Sequence, residues 1–186
     1  MQFTSSFDYA HFYDFISSIY QTGTFIEIGS FLGESTCYLA QRIKFLGSNV
    51  QIFSVDHWKG SDEDLQQQYI QSIGGPDALF NTFLDNLQLH QVQHYVIPLR
   101  MDSLQASKLF RDESITFAFI DGDHHYINVL NDIKWWLPKI KLTGTLGGHD
   151  YYGLEHKESE GVRRAVQECF GNNFHYSFST WFTQKT

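Results

Sequence analysis

The sequence predicts an α/β protein whose central sheet is doubly wound and mostly parallel, with an antiparallel strand or hairpin at its C-terminal end. Short apolar runs of the kind that buried parallel strands need alternate with helical patterns along the 186 residues. The first of these runs leads through a glycine-framed turn into a helix, an arrangement typical of ligand sites on such sheets. The last residues alternate aromatic and polar side chains, which is typical of a strand pair.

The length of the chain indicates one domain. With 186 residues, 42% of them hydrophobic, the chain can build one substantial core but not two ordinary ones. We therefore predict a single domain over residues 1–186 that begins with a helical segment at 7–20. The apolar residues of that segment that share one helical face are Phe12, Phe15, Ile16 and Ile19. We expect this face to pack on the sheet, and a lid over a ligand is the alternative.

The elements follow from the spacing of apolar residues. The predicted parallel strands are 25–28, 51–55, 94–97, 116–120 and 145–148. Helical spacing fills the intervals, as in the run Leu79, Phe83 and Leu87. Another helix carries Val129, Ile133 and Trp136 on one face and should end at Pro138. A last helix is predicted at 161–170, and a closing strand or hairpin at 175–186.

Composition and charge exclude several classes of partner. The formal net charge of -8 at pH 7 disfavours nucleic acid and anionic membrane surfaces as main partners. No run approaches the ~18 apolar residues of a membrane span. The two cysteines, Cys37 and Cys169, are far apart, and the start of the chain lacks the pattern of a secretory signal. We therefore predict free cysteines and a cytoplasmic location.

The turn after the first strand predicts a ligand cradle. Gly29 and Gly33 permit close approach of the backbone to a bound molecule, and Ser35 and Thr36 open the following helix, where amide donors lack partners. Glu27, at the end of a buried strand, needs a cation or a hydrogen-bond donor, and we expect an ammonium group. The alternative is an ordinary strand-to-helix turn of an α/β domain.

The second strand ends in a further acid, Asp56. It follows Glu27 by 29 positions, the arrangement in which a carboxylate accepts hydrogen bonds from both hydroxyls of a ribose. An aspartate that caps the next turn is the alternative. His57 and Trp58 would then flank the nucleoside, although packing in the core is the favoured interpretation of Trp58.

Acids are expected to converge at one edge of the sheet. Ligands of doubly wound sheets lie beyond the carboxyl ends of the strands, and the acids predicted there are Glu27, Asp56, Asp102, Asp121 and Asp150. The pair of Asp121 and Asp123, together with His149 and Asp150, offers ligands for a divalent metal. Oxygen ligands suit Mg²⁺, whereas a nearby imidazole favours Mn²⁺, Fe²⁺ or Zn²⁺.

Two residues are candidates for proton removal. Asp123 is the first choice as general base and His124 the second, because both follow the fourth strand at the predicted ligand edge. The alternative is that the histidines of this region, His124, His125 and His149, are hydrogen-bonded loop residues without a chemical role.

Four motifs carry a resemblance to a known family: E-I-G-S-F-x-G-x-S-T, S-V-D-x-W, F-I-D-G-D-H-x-Y and G-G-H-D-Y. Together they resemble the class I S-adenosylmethionine-dependent methyltransferases over about residues 25–151. Within that class the chain is most similar to a branch of metal-dependent sugar O-methyltransferases, which includes macrocin O-methyltransferase. The resemblance implies a Rossmann-like fold.

The resemblance also implies a cofactor, S-adenosyl-L-methionine, and a divalent metal, Mg²⁺ in the first place. The residues implied for the cofactor are Glu27, Gly29, Ser30, Gly33, Ser35, Asp56, His57, Asp102, Ser103 and Asp121. Among them, Asp102 and Ser103 are assigned to the neighbourhood of the adenine. The implied metal ligands are Asp121, His149 and Asp150, where the resembled enzymes carry two adjacent acids at the last two positions.

The predicted function is methyl transfer from S-adenosylmethionine to a hydroxyl of a small molecule, a sugar or a phenol, with the help of a metal. Acceptor choice is expected from the N-terminal segment and from residues 62–76 and 149–161. A metal-dependent hydrolase or oxygenase and a non-catalytic S-adenosylmethionine-binding protein are the two alternatives. The partner is a small-molecule acceptor, and a homodimer through the aromatic tail or the N-terminal helix is a further hypothesis.

Overall fold

A computed structural model describes residues 7–61, 64–151 and 159–186. Seven strands form one sheet: β1 Thr22–Ile28, β2 Asn49–Asp56, β3 Val96–Arg100, β4 Ile115–Ile120, β5 Ile140–Gly148, β6 His175–Ser177 and β7 Thr180–Gln184. Their order across the sheet is β3-β2-β1-β4-β5-β7-β6. The first five strands pair in parallel, and the β6–β7 hairpin adds to β5 in the antiparallel sense. The predicted doubly wound, mostly parallel sheet is confirmed, and its C-terminal element is a hairpin.

Seven α-helices accompany the strands in the described part of the chain: α1 Ala10–Ile19, α2 Glu34–Leu46, α3 Asp64–Ser72, α4 Pro76–Leu89, α5 Ser103–Ser107, α6 Tyr126–Trp136 and α7 Glu160–Phe170. None of them has the length and apolar content that crossing a bilayer requires. A short 3₁₀ turn follows α6 at Leu137–Lys139, where Pro138 prevents the helix from continuing, as predicted. Cys37 and Cys169 are both free.

The two faces of the sheet carry separate apolar layers. Alternate residues of β4 point to opposite sides, so that Phe117 and Phe119 belong to one layer and Ala118 and Ile120 to the other. The first layer packs against α1, α2 and α4, and the second against α6 and α7. Helices on both faces leave the carboxyl ends of the parallel strands open along one edge, which is where the acids were predicted to converge.

The strand predicted at 94–97 is displaced toward the C-terminus. The structure begins β3 at Val96 and continues it to Arg100. Gln91 has a positive φ of 55°, and the amide of Tyr95 donates to the carbonyl of Val92 at 2.9 Å. These residues therefore close a turn, and pairing with β2 begins only at Val96, opposite Ile52.

The buried face of α1 also differs from the prediction. Phe12 and Ile16 are buried, but Phe15 and Ile19 are each 47% exposed. Tyr13 takes the interior position instead and is fully buried. An apolar pattern could not reveal this rotation, because the interior position of Tyr13 depends on a polar partner for its hydroxyl.

That partner is the carboxylate of Glu27 in β1, which is fully buried. Its Oε1 accepts a hydrogen bond from the Tyr13 hydroxyl at 2.8 Å, and its Oε2 accepts from the hydroxyls of Ser30, at 3.0 Å, and Thr36. Burial raises the pKa of Glu27, and the hydroxyl donors only partly offset that rise. Hydroxyl groups of the protein meet this acid in the structure, and its contact with an ammonium group stays a prediction.

Substituting Tyr13→Phe should destabilise the fold. The change removes one of the donors to a buried carboxylate, which costs about 1–3 kcal/mol in the free energy of unfolding. Urea denaturation followed by circular dichroism measures this difference.

Tyr38→Phe is the matched control, because the Tyr38 hydroxyl also donates to a carboxylate, that of Asp14, at 2.9 Å. Both of those residues are partly exposed, so water can replace the lost bond and the cost should stay below about 1 kcal/mol. Equal losses in the two variants would contradict the role given to the buried pair.

Candidate functional site

A cavity of about 990 Å³ opens at the carboxyl ends of the parallel strands. Its volume is at the upper end of what small-molecule and cofactor sites use. Except for Glu27, the residues predicted to bind the cofactor all line it, namely Gly29, Ser30, Gly33, Ser35, Asp56, His57, Asp102, Ser103 and Asp121. The strand ends therefore bring together residues that lie far apart in the chain.

The turn between β1 and α2 forms one wall of the cavity. Gly29 has a φ of 86°, and a Cβ at this position would collide with the backbone of Asp121, so only glycine fits between the two strand ends. Gly33 begins α2 with a φ of 85° and no side chain caps the helix there. The amides of the first turn of α2 consequently remain available to an anionic group in the cavity.

Asp56 fixes the shape of this turn. Its Oδ2 accepts hydrogen bonds from the amides of Ser30 at 2.9 Å and Phe31 at 3.0 Å, and its Oδ1 accepts from the amide of Trp58 at 2.6 Å. The carboxylate also lines the cavity, with its side chain 14% exposed. The capping role and the ligand-facing position, which the sequence presented as alternatives, thus occur together.

The two residues after Asp56 have different environments. Trp58 is fully buried, its Nε1 donates to the carbonyl of Phe31 at 2.9 Å, and its ring lies 4.8 Å from that of Phe83. The prediction that Trp58 packs in the core is confirmed. His57 lines the cavity with its side chain 41% exposed, and its Nδ1 accepts from the amide of Lys59.

Three side chains form a candidate metal centre beside the cavity. One ligand atom each from Asp121, His124 and Asp150 lies within 4.8 Å of the other two. The Nε2 of His124 is 2.7 Å from Oδ2 of Asp150, which has a left-handed backbone with a φ of 60°. Two carboxylates and one imidazole are a donor set that fits a divalent cation.

His149, predicted as a metal ligand, lies outside this set. Its Nε2 is 2.9 Å from Oδ1 of Asp8, and its Nδ1 is 3.2 Å from Oδ1 of Asp121 and 3.3 Å from Oδ2 of Asp150. Burial lowers the pKa of His149, but the hydrogen bonds and charges of Asp121 and Asp150 outweigh burial and raise it to about 11. The imidazole is thus paired with carboxylates in the structure, its role as a metal ligand stays a prediction, and His124 is the histidine of the candidate set.

Asp123, the first choice as general base, holds the start of α6. Its carboxylate accepts from the amide of His125 at 2.6 Å, from Nδ1 of His125 at 2.8 Å and from Nδ2 of Asn128 at 2.9 Å. Burial raises its pKa, but these donors outweigh burial and lower the pKa below the usual range. Its role as base stays a prediction, and a carboxylate stabilised in this way is a weak proton acceptor.

The sequence missed the contribution of the N-terminal segment. The hydroxyl of Tyr9 donates to Oδ2 of Asp121 at 2.7 Å, and Tyr9 lines the cavity. Asp8 accepts from the hydroxyl of Ser179 at 2.7 Å in addition to its contact with His149. The segment therefore packs on the sheet, as favoured, and also supplies side chains to the site. No local pattern indicates contacts over such separations in the chain.

A buried acid on α6 was also missed. Asp132 is 6% exposed and lines the cavity beside Met101 and Ser103. Burial raises its pKa to about 7, although a hydrogen bond from Ser103 lowers it and the charge of Asp123 raises it further. Its place in the apolar spacing of α6 gave no reason to single it out.

The expected acceptor loop at 149–161 lies mostly outside the described residues, since 152–158 are not described. In the other loop predicted to select acceptors, residues 62–63 are likewise outside the description, and the turn between Ser72 and Pro76 joins α3 and α4.

Comparison with known proteins relates the chain to one family by sequence. Residues 26–151 match a family profile described as "Methyltransferase domain", which covers more than half of the chain. A curated relative, "Uncharacterized protein y4gI" of Sinorhizobium fredii (strain NBRC 101917 / NGR234), is 24% identical over 131 residues, which is 70% of this chain. The chain spans only 13% of the length of that relative.

Solved structures share the fold. An O-methyltransferase from Bacillus cereus in complex with SAH has a TM-score of 0.65 at 17% identity, with 96% of this chain and 80% of that chain covered. A SAM-dependent O-methyltransferase (TM0748) from Thermotoga maritima has a TM-score of 0.65 at 13% identity, with 100% of this chain and 67% of that chain covered. At these identities the likeness concerns the fold.

The stability of the protein should depend on pH through Asp132. Its native pKa of about 7 lies above the value of ~3.9 expected when the chain is unfolded. The native state therefore retains a proton that the unfolded state releases. This group's contribution to stability is present in full below about pH 4 and is lost as the pH rises through about 7.

Urea denaturation of wild type and Asp132→Asn between about pH 5 and pH 8 tests this. The free energy of unfolding of wild type, relative to the variant, should fall by up to about 1.4 kcal/mol per pH unit below the native pKa. Asp85→Asn, at an exposed position of α4, should follow wild type. Parallel curves for wild type and Asp132→Asn would contradict the raised pKa.

Proposed function

The chain belongs to the family of methyltransferase domains, which confirms the family predicted from its motifs, and we propose that it transfers the methyl group of S-adenosylmethionine to a hydroxyl of a small molecule. The observation that carries the proposal is the cavity between the uncapped start of α2 and Asp56. A helix start that can bind an anion and a carboxylate at the next strand end suit two polar parts of this cofactor, its amino-acid carboxylate and its ribose.

The residues of the chain would hold the cofactor as follows. The first amides of α2, next to Gly33, suit the carboxylate of the methionine part. Asp56 retains the capacity to accept from one ribose hydroxyl, since Oδ1 receives one amide hydrogen bond and a carboxylate oxygen can accept two. Gly29 keeps the backbone close to the ligand. When bound, the cofactor supplies a methyl group on a sulfonium, which is already a strong electrophile.

The protein's main task is then alignment. An acceptor oxygen must lie in line with the methyl group, and holding two reactants in that geometry is worth several kcal/mol of the barrier. Several polar side chains line the cavity, namely Tyr9, Asp121, Asp123, His124 and His125. These polar groups would orient a hydroxylated acceptor, such as a sugar or a phenol.

We further propose that Asp121, His124 and Asp150 hold a divalent metal next to the acceptor. A bound metal would supply a lowered pKa for a coordinated hydroxyl. His149 holds the carboxylates of Asp121 and Asp150 in position, which is the role that residues behind metal ligands commonly have. Mg²⁺ was predicted, but an imidazole among the ligands shifts the preference toward Mn²⁺, Fe²⁺ or Zn²⁺.

Two alternatives make different predictions. A metal-dependent hydrolase or oxygenase needs the metal centre but leaves the start of α2 and Asp56 without a ligand. A non-catalytic S-adenosylmethionine-binding protein needs the cavity but not the metal. The partner that we propose is a small-molecule acceptor in the cytoplasm, and a homodimer remains a hypothesis.

Calorimetric titration with S-adenosylmethionine tests the proposal, with NAD as the control ligand. Wild type should bind the cofactor with a micromolar dissociation constant and show no binding of NAD. Asp56→Ala should lose at least about tenfold in affinity, because an acceptor for the ribose is gone and the turn loses its support. Asp85→Ala, on the exposed face of α4, should bind like wild type. If folded wild type does not bind S-adenosylmethionine, the proposal is wrong.

Titration with Mn²⁺ tests the metal centre. His124→Ala should weaken metal affinity by about tenfold to a hundredfold, because one of three ligands is lost. His125→Ala is the matched control, since His125 is adjacent but lies outside the candidate set. A screen of sugars and phenols with and without Mn²⁺ then separates a methyltransferase from a non-catalytic binder. If both histidine variants bind Mn²⁺ like wild type, the proposed ligand set is wrong.

A further inference from the structure

The end of the cavity beyond Asp56 is formed by residues that follow β3 and by one face of α6. Met101, Asp102 and Ser103 contribute from the strand end, and Asp132 contributes from the helix. Asp102 is exposed to solvent, whereas Asp132 is 6% exposed. The buried polar group at this end of the cavity is therefore Asp132.

The hydroxyl of Ser103 is already committed within the protein. It accepts a hydrogen bond from Nε1 of Trp136 at 2.8 Å. Its interaction with Asp132 lowers the pKa of that acid. The assignment of Ser103 to the neighbourhood of the adenine, which the resemblance implied, stays a prediction.

Asp132 itself lacks donors. Within the described part of the chain, Ser103 is its one hydrogen-bond donor, whereas Glu27 receives three hydroxyls and Asp123 three N–H groups. Burial raises the pKa of Asp132 to about 7, which is the expected behaviour of a buried carboxyl group whose acceptor capacity is unfilled. Because the group lines the cavity, a ligand can supply the missing donor.

The position of this end of the cavity indicates which part of the ligand it meets. The start of α2 and Asp56 would take the amino-acid and ribose parts, and the space beyond Asp56 is left for the base. Adenine differs from hypoxanthine in carrying an exocyclic amino group, which donates hydrogen bonds, in place of a carbonyl oxygen, which accepts them.

We propose that Asp132 selects adenine by accepting a hydrogen bond from its exocyclic amino group. The inference rests on the proposed function, because it takes the ligand of the cavity to be an adenosyl compound. At a pH above about 7 the group is ionised. A carbonyl oxygen at the same place would then face a carboxylate oxygen, and a site that is built to accept a hydrogen bond rejects a ligand that lacks the donor. Asp132 is thus a specificity-determining residue of the cofactor site.

A purely structural role is the alternative. In that case the chain from Trp136 through Ser103 to Asp132 would only tie α6 to the strand end, and the carboxyl group would not contact a ligand. Stability alone cannot separate the two roles, because both make Asp132 part of a buried network. The ratio of the affinities for ligands with two different bases separates the two roles.

The test compares dissociation constants of S-adenosylhomocysteine and S-inosylhomocysteine, which carries a carbonyl oxygen instead of the amino group. The measurements are made at about pH 8, where most of the Asp132 side chain is ionised. Wild type should prefer the adenine compound by about tenfold to a hundredfold. Asp132→Leu should weaken binding of S-adenosylhomocysteine by about tenfold and that of S-inosylhomocysteine by less than about threefold. The preference should therefore fall about tenfold.

Asp132→Asn keeps a polar group of the same size. If the leucine variant does not fold, this variant shows whether Asp132 sets the preference for adenine. Its amide can turn either its oxygen or its amino group toward the base, so both compounds should bind and the preference should fall toward one. Asp85→Leu, outside the cavity, should keep the wild-type preference.

The outcomes distinguish a failure of the role of Asp132 from a failure of the proposed function. A wild-type preference that persists in folded Asp132→Leu or Asp132→Asn overturns the role of Asp132 and leaves the proposed function intact. Equal binding of the two compounds by wild type would also overturn the role of Asp132 and leave the proposed function intact. Wild type that binds neither compound overturns the proposed function itself.

Discussion

The buried carboxylate of Glu27 constrains the site more than any other group. It sits in the middle of the sheet edge, and its hydroxyl donors come from α1, from the turn after β1 and from the start of α2. A buried carboxyl group without donors is costly even when it takes up a proton, so the fold is stabilised when these three segments come together. The uncapped helix start lies in the same region, and Gly29 lies against the backbone of Asp121 there.

A second charged group organises the neighbouring strand ends. His149 lies between Asp8, Asp121 and Asp150 and thereby joins the N-terminal segment to β4 and β5. Asp8 in turn accepts from Ser179 in the C-terminal hairpin. Removing one partner from such a buried ionic group leaves uncompensated charge, which is far more costly than the pair is stabilising. The two ends of the chain are thus tied to the place where the candidate metal ligands converge.

Counting donors for each acid sets Asp132 apart. Glu27, Asp56 and Asp123 each accept three hydrogen bonds from groups of the protein. Asp56 and Asp123 also line the cavity. Asp132 is the least filled and faces the cavity as well. Acids with unused acceptor capacity at a cavity wall are the ones through which a ligand can gain binding energy, because a buried acceptor without a donor is costly.

Features that depend on neighbours in the chain could be predicted from the sequence: the strand, turn and helix around Gly29 and Gly33, the acids that end the strands, and the doubly wound sheet. The packing of the elements fixes which histidine lies among the candidate metal ligands and which acids already accept hydrogen bonds from the protein. Tyr9 meets Asp121 across 112 positions and Asp8 meets His149 across 141. Apolar periodicity reports which face of an element is buried, whereas the partner of a buried polar group is known only once the elements are packed together.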